Sequence, residues 1–181
     1  MNNTIFRVLS VAGFLSLVTV VEPQAVGSSL DVTFTGALVD RMCEFEQGDA
    51  ALEVTFPTRA LKYFEQYTRT ETEPFVIGLK NCTSSTKDKL VDLTFSFPQT
   101  EMVNGTVMLK PSGDTGLVIG LLDGKGNVVT PDHAVDTGTI TQTGDGTLNR
   151  FTLGAYVMAP PGVTVKAGQY SATTTFTVSY R

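Results

Sequence analysis

The stretch Ser28-Ser-Leu-Asp-Val-Thr-Phe-Thr-Gly-Ala-Leu-Val-Asp40 decides how the rest of the chain is interpreted. Successive side chains of a β-strand point to opposite sides, so every second residue of this stretch lies on one face. An apolar face must be buried, yet no Gly, Pro or Asn-Gly pair follows within residues 39–42 to make a tight hairpin turn. We therefore predict burial in another molecule, with an ordinary edge strand of its own sandwich as the alternative. The apolar face consists of Leu30, Val32, Phe34, Gly36 and Leu38.

Residues 1–27, which precede this strand, have the features of a secretory signal peptide. Arg7 supplies a positive charge, residues 8–21 form an apolar run, and small residues follow. The run is shorter than the roughly 20 apolar residues that span a bilayer. We therefore favour a signal cleaved after Ala25 or Gly27 over a membrane anchor.

Export of the chain favours a disulfide between its two cysteines, Cys43 and Cys82. This bridge would close a loop of about 40 residues and stabilise the fold by roughly 3 to 4 kcal/mol in the chain-entropy model. A zinc site is disfavoured because His133 is the single histidine of the chain. We predict no metal and no cofactor.

The charged residues give no sign of an enzyme or of a nucleic-acid-binding protein. The formal net charge is −5 and no basic cluster is present, which disfavours nucleic acid and anionic membrane surfaces as partners. The acidic residues are scattered, and no serine or cysteine motif accompanies His133. The sequence Asp123-Gly-Lys-Gly-Asn127 favours a hairpin turn over a calcium loop.

Residues 42–181 contain several short runs in which apolar and polar residues alternate, bounded by Gly, Pro, Asn and Asp. Only residues 60–66 suit a short helical turn. The pattern predicts one all-β domain, an antiparallel sandwich of the immunoglobulin type. The alternating apolar positions are Leu52, Val54 and Phe56; Phe75, Ile77 and Leu79; Val91, Leu93, Phe95 and Phe97; Val107 and Leu109; Leu117, Ile119 and Leu121; and Phe151, Leu153, Ala155 and Val157.

The final stretch, residues 170–181, alternates up to the last residue. A spare apolar strand precedes the domain and no strand follows this one. The last strand is therefore expected to border an open groove with unpaired backbone groups. Its apolar stripe is made of Tyr170, Ala172, Phe176, Val178 and Tyr180.

In their order and spacing, these segments resemble the subunits of chaperone-usher pili, over essentially the whole mature chain. Within that family the chain is most similar to adaptor subunits of P pili, with tip fibrillum and major rod subunits as alternatives. The residues that carry the resemblance are Val32 to Val39 before Cys43, Phe75-Val-Ile-Gly-Leu-Lys-Asn-Cys82, Leu117-Val-Ile-Gly-Leu-Leu-Asp123, Gly154-Ala-Tyr-Val157, Gly168-Gln-Tyr170 and the closing Tyr180-Arg181.

The resemblance implies an incomplete immunoglobulin-like sandwich that lacks its last strand and receives one from a chaperone or a neighbouring subunit. Residues 28–41 would be the donor strand and residues 42–181 the pilin domain. Leu30, Val32, Phe34 and Leu38 would be inserted into a neighbour, with Gly36 where the groove has no room for a side chain. The acceptor groove and chaperone-binding surface would comprise Ala172, Thr174, Phe176, Val178, Tyr180 and Arg181.

The partners implied by the resemblance are a periplasmic chaperone, an outer-membrane usher and neighbouring subunits on both sides. The expected location is a fimbrium on the bacterial surface, reached through the periplasm. The alternative outside the family is a secreted carbohydrate-binding sandwich, which would fold as a monomer. A pilus chaperone is disfavoured because such chaperones have two domains.

Overall fold

A computed structural model describes residues 42–181 of the chain. The predicted signal peptide and the predicted donor positions Leu30, Val32, Phe34, Gly36 and Leu38 lie outside the described residues. Within the described part, no helix is long and apolar enough to cross a membrane. The elements are β1 (Glu44–Phe45), α1 (Leu61–Gln66), β2 (Glu73–Lys80), β3 (Leu90–Ser96), β4 (Thr100–Val103), β5 (Thr106–Leu109), β6 (Val118–Leu122), β7 (Ala134–Thr139), β8 (Leu148–Met158) and β9 (Thr175–Tyr180).

Six strands form one antiparallel sheet in the order β1-β2-β8-β6-β5-β4. The eleven-residue strand β8 lies inside this sheet and pairs with β2 on one side and with β6 on the other. Ala155 of β8 is opposite Leu121 of β6, and Phe151 is opposite Ile77 of β2. The alternating residues predicted for these strands therefore share one face, which is buried.

The second sheet has three antiparallel strands in the order β7-β3-β9. Val91, Leu93 and Phe95 of β3 point into the interior and are almost fully buried. The β3–β7 register shifts between Val91 and Asp92, whereas the β3–β9 register is continuous. Because β9 lies at the edge of this sheet, β3 is its only ladder partner among the described strands.

The apolar core lies between the two sheets, which confirms the predicted all-β antiparallel sandwich. Inward residues of both sheets form it because each strand presents every second side chain to the same side. Its buried members are Ile77, Leu79, Cys82, Val91, Leu93, Phe95, Leu109, Leu117, Ile119, Leu121, Val129, Ile140, Phe151, Leu153, Ala155 and Val157.

The predicted bridge between Cys43 and Cys82 is present, with a Cα–Cα distance of 4.1 Å. Cys82 is completely buried and follows β2, while Cys43 directly precedes the two-residue strand β1. The disulfide therefore fixes the start of the described domain to the end of β2, the second strand of the larger sheet.

The structure differs from the sequence prediction in four places. The last strand begins at Thr175 and not at Tyr170, because the Ser171 backbone bonds to Ser112 of the β5–β6 connection instead of to β3. The alternating residues 52–56 form no ladder with any described strand, although Val54 and Phe56 pack against the core. Two short strands, β4 and β7, were not predicted. Both lie at sheet edges, where one side of a strand stays exposed and the apolar pattern is weak.

Candidate functional site

Strand β9 has a partner on one edge only. It pairs with β3 from Thr175 to Tyr180, and no described segment pairs with its other edge. Its inward side chains Phe176, Val178 and Tyr180 pack against the core but are only half-buried. The core is therefore incompletely covered along this edge.

The hydrogen-bond pattern shows which backbone groups of β9 are free of β3. Arg181 and Leu90 exchange both of their backbone bonds, at 3.1 and 2.9 Å. Bonded and non-bonded pairs alternate along an antiparallel ladder. The N–H and C=O groups of Phe176, Val178 and Tyr180 consequently point towards the open edge, so the half-buried side chains and the free backbone groups belong to the same three residues.

The segment facing β9 across this edge begins with β1 and continues through residues 51–60. Phe45 is 36 % exposed, and its ring meets that of Phe176 edge-on at a centroid distance of 5.6 Å. Further along, the rings of Phe56 and Tyr170 lie 6.4 Å apart. The first contact reaches β9, and the second reaches residues 165–172, which precede it.

A cavity of about 800 Å³ opens between the same two segments, at the end of the Phe56–Tyr170 contact. Core residues Leu117 and Ile119 are among its lining, so the apolar interior is accessible there. We name the cavity and the open edge of β9 together the groove. The cavity is lined by residues 54–61 and 165–172 and by Phe64, Thr70, Thr115, Leu117 and Ile119.

Backbone bonds hold residues 165–172 in place although they form no regular strand. The Lys166 amide donates to the Thr115 carbonyl at 2.9 Å, and the Ser112 amide donates to the Ser171 carbonyl at 2.8 Å. The Thr115 carbonyl and the Ser112 amide both belong to the connection between β5 and β6. This wall of the groove is therefore anchored to the larger sheet.

The two charged residues that line the cavity, Arg59 and Lys166, are both in ion pairs. Lys166 lies 2.7 Å from Asp114, and this hydrogen bond and charge lower the pKa of Asp114. Arg59 lies 2.7 Å from Glu71, whose pKa is lowered first by its own backbone amide and then by Arg59. Among the described residues, the cavity lining therefore contains no charged side chain without an ion-pair partner, which suits an apolar ligand.

Burial along the groove also acts on its two tyrosines. Desolvation raises the pKa of Tyr170 and of Tyr180 above the ordinary value. Both phenols are thus neutral at physiological pH, as a predominantly apolar contact surface requires.

The other predicted residues of the last stretch have different surroundings. Ala172 is exposed and lines the cavity, while the Thr174 hydroxyl donates to the Ser96 carbonyl at 2.8 Å. The Arg181 side chain lies on the outer face of the small sheet, against Asp92, and does not line the cavity. Phe45, Val54 and Phe56 border the groove but were not predicted from the sequence as groove residues; the alternation of residues 52–56 was the available signal.

Chemically, the groove offers an apolar row, unpaired strand edges and no set of reactive groups. Among residues 42–181, no cluster of three or more His, Cys, Asp and Glu side chains is placed to hold a metal ion. His133 lies in a loop, with Nδ1 2.9 Å from the Pro131 carbonyl oxygen. The arrangement suits an extended peptide that adds its backbone to β9 and its side chains to the core.

Comparison with known proteins agrees with this geometry. The family model described as "Fimbrial protein" matches residues 32–181. The fimbrial adapter PapK of Escherichia coli is 35 % identical over 168 residues, covering 87 % of this chain and 90 % of PapK. The protein PrsK of Escherichia coli is 33 % identical over 156 residues, covering 83 % of this chain and 88 % of PrsK.

A solved structure supports the same assignment. The P pilus rod subunit PapA superposes with a TM-score of 0.63 at 26 % identity, covering 77 % of this chain and 99 % of PapA. The chain therefore belongs to the fimbrial protein family.

Proposed function

We propose that this fimbrial subunit is assembled by donor-strand exchange through the groove along β9. A periplasmic chaperone first adds an extended strand to β9, and a neighbouring subunit replaces it at an outer-membrane usher. One observation carries the proposal: the free backbone groups and the half-buried side chains of β9 belong to the same residues, Phe176, Val178 and Tyr180. A strand placed there gains ladder bonds and covers the core in one step.

The unpaired segment 51–60 supports this reading of the groove. Val54 and Phe56 face the core in an extended stretch that has no ladder partner among the described residues. An inserted strand would run between this segment and β9. Completing the burial of an apolar side chain contributes about 1.5 to 3 kcal/mol, so a few inserted residues suffice for a strong effect on stability.

The donor role belongs in this proposal to residues 28–41. Leu30, Val32, Phe34 and Leu38 would enter the groove of the next subunit, and Gly36 would pass its narrowest point. The subunit would then act as donor on one side and as acceptor on the other. Residues 1–27 would be the signal peptide that directs export to the periplasm before assembly on the cell surface.

Within the fimbria we assign the chain to an adaptor position and give it no enzymatic role. Identity to the adapter PapK is 35 %, against 26 % to the rod subunit PapA. Tip fibrillum and rod positions are the alternatives. Immunoprecipitation of assembled fimbriae would distinguish them, because an adaptor is present in few copies and a rod subunit in many.

Urea unfolding of the oxidised mature protein, residues 28–181, tests the proposal. The measurement is made with and without a synthetic peptide, named the donor peptide, that copies the segment of a candidate neighbouring subunit equivalent to residues 28–41. A matched control peptide carries Asp at two of the inserted apolar positions. We expect low stability alone. The first peptide should raise the free energy of unfolding by about 2.7 kcal/mol at a hundredfold excess over Kd, and the control peptide should have no effect.

Cooperative unfolding at high urea, with no response to either peptide, would overturn the proposal. It would show a sandwich that is complete without a donor strand. A stand-alone carbohydrate-binding module would then be the better assignment.

A further inference from the structure

Two carboxylates face each other on the outer surface of the three-stranded sheet. Asp92 of β3 is opposite Asp136 of β7 in the ladder, and Asp92 is only 6 % exposed. Like charges directly opposite each other in a sheet repel, and a buried carboxylate requires a partner. This position therefore needs a cation.

Arg181, at the end of β9, supplies that cation. Its Nε lies 2.5 Å from Oδ2 of Asp92. The hydrogen bond to Asp92, the charge of Asp92 and the charge of Asp136 all raise the pKa of the guanidinium. Arg181 is also held by its backbone, which exchanges two bonds with Leu90.

The apolar pattern of β9 does not define its register on β3 completely. A slip of one residue would turn Phe176, Val178 and Tyr180 outwards and is excluded by burial. A slip of two residues keeps every apolar residue inside, and the outward residues Thr175, Thr177 and Ser179 are nearly equivalent. No tight turn sets the register either, because residues 159–174 separate β8 from β9.

The ion pair distinguishes these otherwise similar registers. In the observed one, Asp92 is opposite Ser179 and the Arg181 side chain reaches Asp92 diagonally on the same face. A slip of two residues that pairs Val91 with Val178 moves Arg181 beyond the start of β3 and leaves the two carboxylates facing each other without a cation. The opposite slip pairs Leu93 with Tyr180 and keeps Arg181 beside Asp92, but it removes the two backbone bonds between Arg181 and Leu90. The ion pair therefore disfavours the first slip by charge rather than by packing.

We propose that Asp92 and Arg181 are positioning residues that set the register of β9, and thereby the order in which Phe176, Val178 and Tyr180 meet an incoming strand. The second half of this inference rests on the proposed function, whereas the register itself does not. A subunit with β9 in a slipped register would present its side chains two residues out of place and would bind a donor strand poorly.

Cross-strand contacts between Hα protons, measured by NMR on the oxidised mature protein, report the register directly. Such contacts arise at non-hydrogen-bonded pairs, where the Cα atoms approach most closely. In the observed register they join Val91 to Tyr180 and Leu93 to Val178. In the slipped register that separates Arg181 from Asp92 they would join Val91 to Val178.

We expect Arg181→Gln and Asp92→Asn to show slipped contacts beside the native ones, and wild type to show native contacts alone. The matched control is Lys110→Gln, which breaks the exposed Lys110–Glu101 pair at the far edge of the larger sheet. Affinity for the donor peptide should fall in proportion to the native-register fraction, about tenfold if a tenth remains native. Native contacts alone in both variants would overturn the inference.

If Arg181→Gln fails to fold, the exchanged pair Asp92→Lys with Arg181→Glu decides the question. Restored folding with native contacts supports a register role, and failure to restore them overturns it. The contact measurement also separates this inference from the proposed function. Loss of peptide binding in wild type with a native register would contradict donor-strand exchange and leave the register assignment intact.

Discussion

At the scale of single residues, Phe176 connects the buried core to the open edge. Its ring lies 5.6 Å from Phe95 below it and 5.6 Å from Phe45 across the groove. One side chain thus contacts both sheets, while part of its surface stays accessible. Its contribution to stability should depend on whether a strand covers it.

We expect Phe176→Ala to cost about 2 kcal/mol in the isolated protein and about 4 kcal/mol in the peptide complex, where the ring becomes fully buried. Urea unfolding with and without the donor peptide measures both values. Tyr67→Ala is the control, because Tyr67 is a stacked aromatic residue that is 50 % exposed and does not line the cavity. Equal losses in the two states would show that the peptide does not cover Phe176.

Gly120 has a packing role that accounts for its place in the strand β6. A Cβ at this position would overlap the ring of Tyr156, which is buried on the neighbouring strand and carries Arg69 over its other side at 4.6 Å. We expect Gly120→Ala to destabilise the protein by about 1 to 3 kcal/mol, because the ring must move.

Thermal unfolding of Gly120→Ala measures this effect, with Gly168→Ala as the matched control. A Cβ at Gly168 meets only the Thr115 methyl group at 3.4 Å, an ordinary contact. A control that loses as much stability as Gly120→Ala would argue against the Tyr156 explanation.

At the scale of elements, the position of β1 depends on the disulfide between Cys43 and Cys82. It has two residues, and its ladder with β2 pairs only Glu44 with Lys80 and Phe45 with Leu79. So short a strand holds its place poorly by hydrogen bonds alone. The Cys43–Cys82 bridge keeps Phe45 at the groove.

Replacing both cysteines, Cys43→Ala with Cys82→Ala, should lower the free energy of unfolding by roughly 3 to 4 kcal/mol. It should also weaken peptide binding, because Phe45 is no longer held opposite Phe176. Chemical denaturation and peptide titration of the double variant measure the two effects. Unchanged peptide affinity would mean that the position of Phe45 does not matter for the groove.

How well the sequence predicted each element depended on how deeply the element is buried. Residues 118–122 and 148–158 were predicted as strands because burial imposes an apolar pattern on them. Strand β7 has the sequence Ala-Val-Asp-Thr-Gly-Thr and lies at a sheet edge. None of its side chains is fully buried, so its sequence shows no apolar alternation. Residues 52–56 alternate as a strand does but form no strand. Alternation shows that every second side chain is buried, and it does not require a ladder partner.

The groove was predictable in part for the same physical reason. The alternation of Phe176, Val178 and Tyr180 predicted a row of inward-facing apolar side chains on the last strand. The cavity beside Tyr170 and the ion pair of Asp92 with Arg181 depend on contacts between residues distant in sequence. Side-chain period alone cannot specify such contacts.

At the scale of the whole molecule, the proposed assembly gives the subunit two separable activities. Gly36→Arg should leave the acceptor groove unchanged and prevent insertion into the next subunit, because the added side chain has no room there. We expect the variant to be recovered as a chaperone complex in normal amounts and to be absent from the interior of fimbriae.

Co-purification with the chaperone and immunoblotting of isolated fimbriae measure these two outcomes. Deletion of residues 176–181 is the complementary variant, since it removes β9 and should abolish chaperone capture. Normal incorporation of Gly36→Arg between both of its neighbours would place the critical glycine elsewhere.

The position of the disulfide has a mechanical consequence for the proposed fimbria. Tension from a pulled donor segment would enter the domain next to Cys43, just before the weakly held strand β1. The covalent bridge transmits that load to Cys82, and from there to the eight-residue ladder between β2 and β8. Under oxidising conditions a stretched filament should therefore yield at its joints before its domains unravel, and reduction should reverse that order.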